Sequence, residues 1–356
     1  MTSGSTSLQT AGPHKGIPAS ASRSARFDVM RVGACLAVIL LHLSATIVME
    51  RDLLGSIHWH ISNAIDAATR WCVPVFVMLS GALLLDPKKH ASPREFWTKR
   101  LSRLLPAMLA WPAIYFAWRA FYWHEPLSPG TIAHDLVTGR PYVHLYFLFL
   151  IAGLYLVTPF LANALGTLSL SHLRQLIMIM AGLAIGANLF DFLASSAFTM
   201  FVPYLTYYLA GWYCARLLHD RPGASALAIG LAAGLITGLT ALLVSTRGFD
   251  DRWAFYFYED FSPTVMVMAV GLFLLTLQGT IPPRIESLAV TLAPLTLGVY
   301  LAHPIVVELL RYGYFLAMPD LLRPPYYVPV TFLITCAITF SLVALMQRVP
   351  GLQRIV

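Results

Sequence analysis

The chain alternates between long apolar blocks and short polar connections. After a polar opening stretch, apolar runs of membrane-crossing length recur to the end, separated by clusters of charged and aromatic residues. A helix needs about 20 largely apolar residues to cross the hydrocarbon core of a bilayer. On that basis spans are predicted over 29–48, 64–85, 101–122, 143–162, 173–192, 201–218, 224–245, 263–277, 290–310 and 326–346. The fifth is weakened by Gly182, Gly186 and Asn188, and the eighth is short. The fold class expected is all-α, a polytopic membrane bundle of about ten transmembrane helices. Residues 1–26, a Ser/Thr/Ala/Gly/Pro mixture, read as a flexible cytoplasmic N-terminal tail. Residues 27–346 form the transmembrane domain and 347–356 a short cytoplasmic C-terminal tail.

Composition agrees with this pattern. The 356 residues are 58% hydrophobic and 12% charged, whereas a soluble domain carries about 25% charged residues. The excess of 24 basic over 17 acidic residues, net +7, would suggest nucleic acid in a soluble protein. Here the basic residues lie between apolar runs, so membrane lipids are the expected surroundings and no nucleic-acid partner is expected. Lys and Arg in the connections favour the side of the N-terminal tail by better than two to one, with Lys88, Lys89, Arg94 and Lys99 among them. That bias places both termini in the cytoplasm of a multi-pass protein. Cys35, Cys72, Cys214 and Cys336 are scattered singly through apolar stretches; they read as small buried residues, with no disulfide framework and no metal site. The connections 124–142 and 246–262 are long, aromatic and charged, with no obvious elements, and loops of that kind are often functional.

Ionisable residues inside spans are costly and call for a functional reading. Arg31 and His42 are eleven residues apart, three turns plus roughly 20°, so they share one helix face about 16 Å apart. Asp28 lies one turn before Arg31, at the spacing of an i,i+3 ion pair. A cation at the water boundary with an imidazole deep in the bilayer suits a long substrate with an anionic head. The alternative is an orientation anchor at Arg31 and a His42 bonded to a neighbouring carbonyl. Arg100 and Arg103, also at i,i+3, present two forks suited to phosphate. Val73-Pro-Val-Phe-Val-Met-Leu-Ser80-Gly81 reads as a broken helix with a hydroxyl and a glycine. Tyr300 and His303 share a face in the ninth span, with Glu308 beyond, in either a supporting or a helix-packing role.

Taken in order, these landmarks resemble the membrane acyltransferase-3 family, polytopic O-acyltransferases of bacterial surface glycans. The resemblance rests on Arg26-Phe-Asp-Val-Met-Arg31 with His42, on Val73–Gly81, on Lys99-Arg-Leu-Ser-Arg-Leu-Leu-Pro106 and on Gly298-Val-Tyr-Leu-Ala-His-Pro304. His144-Leu-Tyr-Phe-Leu and Leu154-Tyr-Leu-Val-Thr-Pro159 are similar to the branch of the enterobacterial common antigen O-acetyltransferase. The resemblance implies an acyltransferase of the bacterial cytoplasmic membrane with acetyl-CoA as co-substrate and no permanently bound cofactor. The implied acceptor is a hydroxyl of a surface or exopolysaccharide sugar, lipid-linked in one variant. His42 would be catalytic, supported by Asp28. Arg31, Arg100, Arg103 and Ser80 would bind the coenzyme. Tyr300, His303, Glu308 and His144 would serve the acceptor or support the site, and no metal is implied. Since only 347–356 follow the last span, acylation is expected at the bundle itself, without a fused transferase domain. The alternative from another class is a polytopic transporter of a small polar or anionic solute, although no internal symmetry of the kind transporters show is visible.

Overall fold

A computed structural model describes residues 19–86, 92–190, 192, 196–216, 222–317 and 326–356. Most of the N-terminal tail, and Lys88 and Lys89 of the basic connection, lie outside the described residues. Those described form helices without a single strand. The helices are α1 (Ala19–Val48), α2 (Ile57–Thr69), α3 (Cys72–Leu84), α4 (Pro93–Phe121), α5 (Pro129–Thr138), α6 (Tyr146–Leu165) and α7 (Leu170–Leu189). They continue with α8 (Phe201–Cys214), α9 (Pro222–Arg247), α10 (Pro263–Gln278), α11 (Pro283–Leu292), α12 (Thr296–Ala317) and α13 (Tyr327–Met346). Among the described residues, nine helical segments are long and apolar enough to cross a membrane. The molecule is an all-α, multi-pass membrane bundle.

The predicted span 201–218 is described only to residue 216; its helix, α8, has 14 residues, about 21 Å at 1.5 Å per residue. Its apolar character reflects interior packing, with Tyr204, Tyr207, Tyr208 and Trp212 all buried. Helices α7, α9 and α13 instead turn leucines such as Leu183, Leu231 and Leu333 outward, as lipid-facing surfaces require.

Helix α1 is central and packs on α2, α3, α11, α12 and α13. Helices α3 and α8 touch backbone to backbone. A Cβ on Gly81 would lie 1.8 Å from the Tyr208 carbonyl oxygen, and one on Gly211 would lie 1.9 Å from that of Met78. Close approach at small residues is how membrane helices gain packing where lipid offers no hydrophobic drive. Gly81 therefore does not break α3, which runs unbroken to Leu84. The break comes earlier, at Arg70–Trp71, and Pro74 sits in the first turn of α3, where a missing N–H costs nothing.

Helix α4 starts well before the predicted span. Ser92 caps it by accepting from the Glu95 N–H at 3.2 Å, a capping-box arrangement with Pro93 at the first position. Lys99, Arg100 and Arg103 thus ride on the helix and not in a connection. At its other end Arg119 grips Glu125 through two bonds of 2.6 and 2.7 Å and Asp135 through one of 2.6 Å. This clamp orders the long connection, which contains α5 and leads into His144. The bond from Arg119 holds the Glu125 carboxyl below the usual range. Partial burial pushes Asp135 up, but bonds from Arg119 and His134 outweigh it and leave its carboxyl lowered. Carboxylates with lowered folded pKa values stabilise fully at neutral pH and lose that contribution as pH falls through the lowered values. Residues 347–356, expected as a tail, fold back on the bundle: Trp111 donates to the Ile355 carbonyl at 2.7 Å and Val356 lies against Gly298.

Candidate active site

The face on which α1 begins is called the near face, and that on which it ends the far face. A cavity of about 520 Å³ opens between α1, α3, α4, α6 and α12, lined by Arg31, Ser80, Arg100, Tyr155, Leu297 and Tyr300. Arg31 donates to Asp28 at 3.0 Å across one helical turn, which holds the guanidinium at the near-face level. Ser80 donates back to the Phe76 carbonyl at 2.9 Å. Arg103 is exposed and does not line the cavity, yet its charge, with those of Arg100 and Arg31, acts on Tyr155. The cavity is therefore cationic at one end and closed by Tyr300 at the other.

Beyond Tyr300 lies a chamber of about 210 Å³ whose lining includes His42, Arg70, His144, Tyr146, Asp260 and Tyr300. His42 and His144 line it, and the buried ring of His303 packs against both. The ring of His42 is 5.1 Å from that of His303 and 6.5 Å from that of His144, and those two are 5.6 Å apart, centroid to centroid. Among the described residues, no His, Cys, Asp and Glu group has the arrangement of a metal site.

The His-Pro dipeptide explains how one of these rings is aimed. Pro304 has no N–H, so the Tyr300 carbonyl one turn back loses its usual partner. His303 Nδ1 takes that carbonyl at 2.7 Å. A carbonyl only accepts, so Nδ1 carries the hydrogen and Nε2 is a bare lone pair. That Nε2 is buried and, among the described residues, has no hydrogen-bond partner. The neighbouring Leu301 carbonyl receives the Tyr115 hydroxyl at 2.8 Å and His144 Nε2 at 3.3 Å. His144 thus also has a fixed tautomer, with an Nδ1 that has no partner among the described residues. The Tyr300 hydroxyl donates to the His144 carbonyl at 2.6 Å, tying α12 to the start of α6. His42 lines the chamber, and among the described residues its ring makes no hydrogen bond with the protein.

On the far face, His42 also opens into a cavity of about 870 Å³ with Trp123, His124, Glu308, Arg311 and Tyr312. Glu308 is held there by Trp118 at 2.6 Å, by Trp123 at 3.1 Å and by the Tyr142 hydroxyl. A second far-face cavity of about 550 Å³, with Arg140, Asn188, Arg252, Trp253, Glu259 and Asp260, reaches the chamber through Tyr146 and Asp260. Asp260 is fixed by Tyr204 at 2.5 Å. Of the other charged residues in the far-face connections, Asp250 pairs with Arg51 at 2.5 Å and Arg247 with Asp251 at 3.8 Å, and none of these lines a cavity just described.

The structure thus gathers Arg31, Arg100 and Ser80 at one cavity, and His42, His144 and Tyr300 at the next, with His303 packed against the two histidine rings. Glu308 stands in the far-face opening. Asp28 does not reach His42: fourteen residues separate them, about 21 Å along the helix, and its contact is with Arg31. It positions the arginine and does not take part at the imidazole. The sequence reading missed Tyr155, Tyr146, Asp260 and Arg70. Tyr155 was visible inside the Leu154–Pro159 motif. Arg70, inside the predicted span 64–85, lies within a helical segment long and apolar enough to cross a membrane, and its i,i+4 spacing from Asp66 was the signal available.

The acyltransferase-3 family model, described as an acyltransferase domain, matches residues 24–344. No curated protein and no solved structure matches the chain. The match runs from just before the Arg31 turn to the last helix and takes in the near-face cavity, both far-face cavities and the histidine chamber between them. The chain belongs to the acyltransferase-3 family of membrane acyltransferases.

Proposed function

We propose that the protein transfers an acetyl group from cytoplasmic acetyl-CoA to a hydroxyl of a surface-polysaccharide or exopolysaccharide sugar. One observation carries this reading: a cavity lined by two arginines ends at Tyr300, which also lines the histidine chamber that the far-face cavities reach in mid-bundle. Arg31 and Arg100 suit the phosphates of the coenzyme through fork-like contacts, with Arg103 adding charge at the entrance. The pantetheine arm runs past Ser80 and Tyr155 toward Tyr300, along the 16 Å that separate Arg31 from His42. The acceptor enters from the far face, where Trp123, Glu308 and Arg140 offer ring faces and hydrogen bonds for a sugar, lipid-linked or free. Resemblance of 144–148 and 154–159 to a glycan O-acetyltransferase branch supports that acceptor class. The near face is then cytoplasmic and the membrane is the bacterial inner membrane, with both termini inside, in line with the Lys/Arg bias.

His42 takes the proton of the acceptor hydroxyl as its oxygen attacks the thioester carbon, and returns it to the departing coenzyme thiolate. His303, with its bare Nε2 beside His42, is the adjoining proton acceptor. Pro304→Ala restores a backbone N–H that competes for the Tyr300 carbonyl and frees the His303 tautomer. The expected result is a kcat reduced about tenfold with the acetyl-CoA KM kept.

The test uses detergent-purified protein, radiolabelled acetyl-CoA and de-esterified surface polysaccharide from cells lacking the protein. Wild type forms alkali-labile acetyl ester on the polymer. Arg31→Ala with Arg100→Ala raises the acetyl-CoA KM by at least about 150-fold, since each of two charge-assisted contacts is worth about 1.5–3 kcal/mol. Uptake of a solute into vesicles without ester formation would instead make the protein a transporter.

A further inference from the structure

Arg70 carries the only cation among the described residues lining the histidine chamber, and neither the near-face cavity nor the far-face openings use it. It stands in mid-bundle at the break between α2 and α3. Its guanidinium is paired with Asp66, whose side chain is fully buried. It also lies 3.8 Å from the ring centre of Tyr258, which is itself anchored to Asn63. Both Nε and Nη2 of Arg70 go to one oxygen of Asp66. Nη1 has only a 3.5 Å contact with the Tyr258 carbonyl, so among the described residues it keeps donor capacity that no strong bond uses.

An ion pair of this depth is expensive, and an apolar pair would stabilise a bundle as well or better. An intramembrane charge kept beside a reaction chamber points to a function. Asp66 and Tyr258 do for Arg70 what a preorganised site requires: they hold the cation before any substrate arrives, so no reorganisation is needed during the reaction.

Resting on the proposed acetyl transfer, we propose that Arg70 is a catalytic residue that stabilises the oxyanion formed on the thioester carbonyl. As the acceptor oxygen bonds to the carbonyl carbon, the π pair moves onto the carbonyl oxygen, which accepts from Arg70 Nη1. The pair returns to rebuild the carbonyl, the C–S bond breaks, and the coenzyme thiolate leaves with the proton that His42 removed. Asp66 is the positioning residue that sets the guanidinium.

The test compares Arg70→Gln with the double variant Asp66→Asn/Arg70→Gln in the same ester-forming assay, alongside melting temperatures. Arg70→Gln alone leaves a buried acid unpaired and loses stability. The double variant removes that acid and regains the melting temperature. Both are expected to show a kcat about 10²–10³-fold below wild type, with the acetyl-CoA KM within about twofold. A double variant that turns over at the wild-type rate would make Arg70 a structural partner of Asp66 and overturn the proposal. So would an effect confined to KM. Wild-type ester formation in the same plates reports separately on the proposed function: if it is absent, that reading falls, and the Arg70 role falls with it.

Discussion

The His42→Ala protein is expected to fold, keep the wild-type KM for acetyl-CoA and form acetyl ester at least about 10³-fold more slowly. Acid–base groups contribute about 10²–10⁴-fold, and the upper half of that range applies because, among the described residues, His42 is the one acid–base side chain lining both the chamber and the large far-face opening. Stability is spared because, among the described residues, the ring makes no hydrogen bond with the protein. Binding is spared because the donor's anionic head is gripped about 16 Å away at Arg31. Neither His144 nor His303 substitutes for it. Each has one nitrogen committed to a carbonyl of α12, and neither lines the large far-face cavity. Steady-state kinetics with a melting curve on the same preparation check both halves of the expectation.

Gly211→Val is expected to leave no folded protein to assay. The new side chain would have to share space with the Met78 carbonyl, which lies 1.9 Å from where the Cβ alone would stand. Overpacking in a core typically costs about 1–3 kcal/mol when flexible side chains give way. Here the atom in the way is helix backbone, so α3 and α8 must separate as units. Separation would also open the contact of Gly81 with Tyr208 and shift Ser80 in the near-face cavity. Monodisperse protein recovered after detergent extraction is the readout, and a sharp size-exclusion peak at wild-type yield would contradict the packing account.

How much of this was legible in the sequence depends on whether the signal was local. Apolar block length located the spans because a bilayer imposes one thickness on every crossing helix. The Arg31–His42 line and the Asp28 contact followed from 3.6 residues per turn, which needs no tertiary knowledge. Helix α8 shows what composition alone leaves open, since burial in a protein core and burial in lipid select the same side chains. Gly81 was taken for a helix break because a glycine's value to a neighbouring backbone is invisible until that neighbour is known. Arg70 sat at the edge of an apolar run and so looked like a boundary charge, while its partners Asp66 and Tyr258 come from one turn away and from a distant connection. His144 could be singled out by its motif, but that its ring reaches those of His42 and His303 is a fact of packing. The tautomer of His303 lay between: the His-Pro pair was on the page, and only the geometry says which carbonyl the proline releases.

The central claim is that one histidine chamber joins a donor entering from the near face to an acceptor entering from the far face. The most direct measurement uses proteoliposomes sorted for a single orientation by a tag on the N-terminus, with radiolabelled acetyl-CoA confined to one compartment and de-esterified polysaccharide to the other. Label is expected to appear as acetyl ester on the polymer only when acetyl-CoA is on the N-terminal side and the polymer opposite. Ester formed only with both substrates in the same compartment would contradict the account.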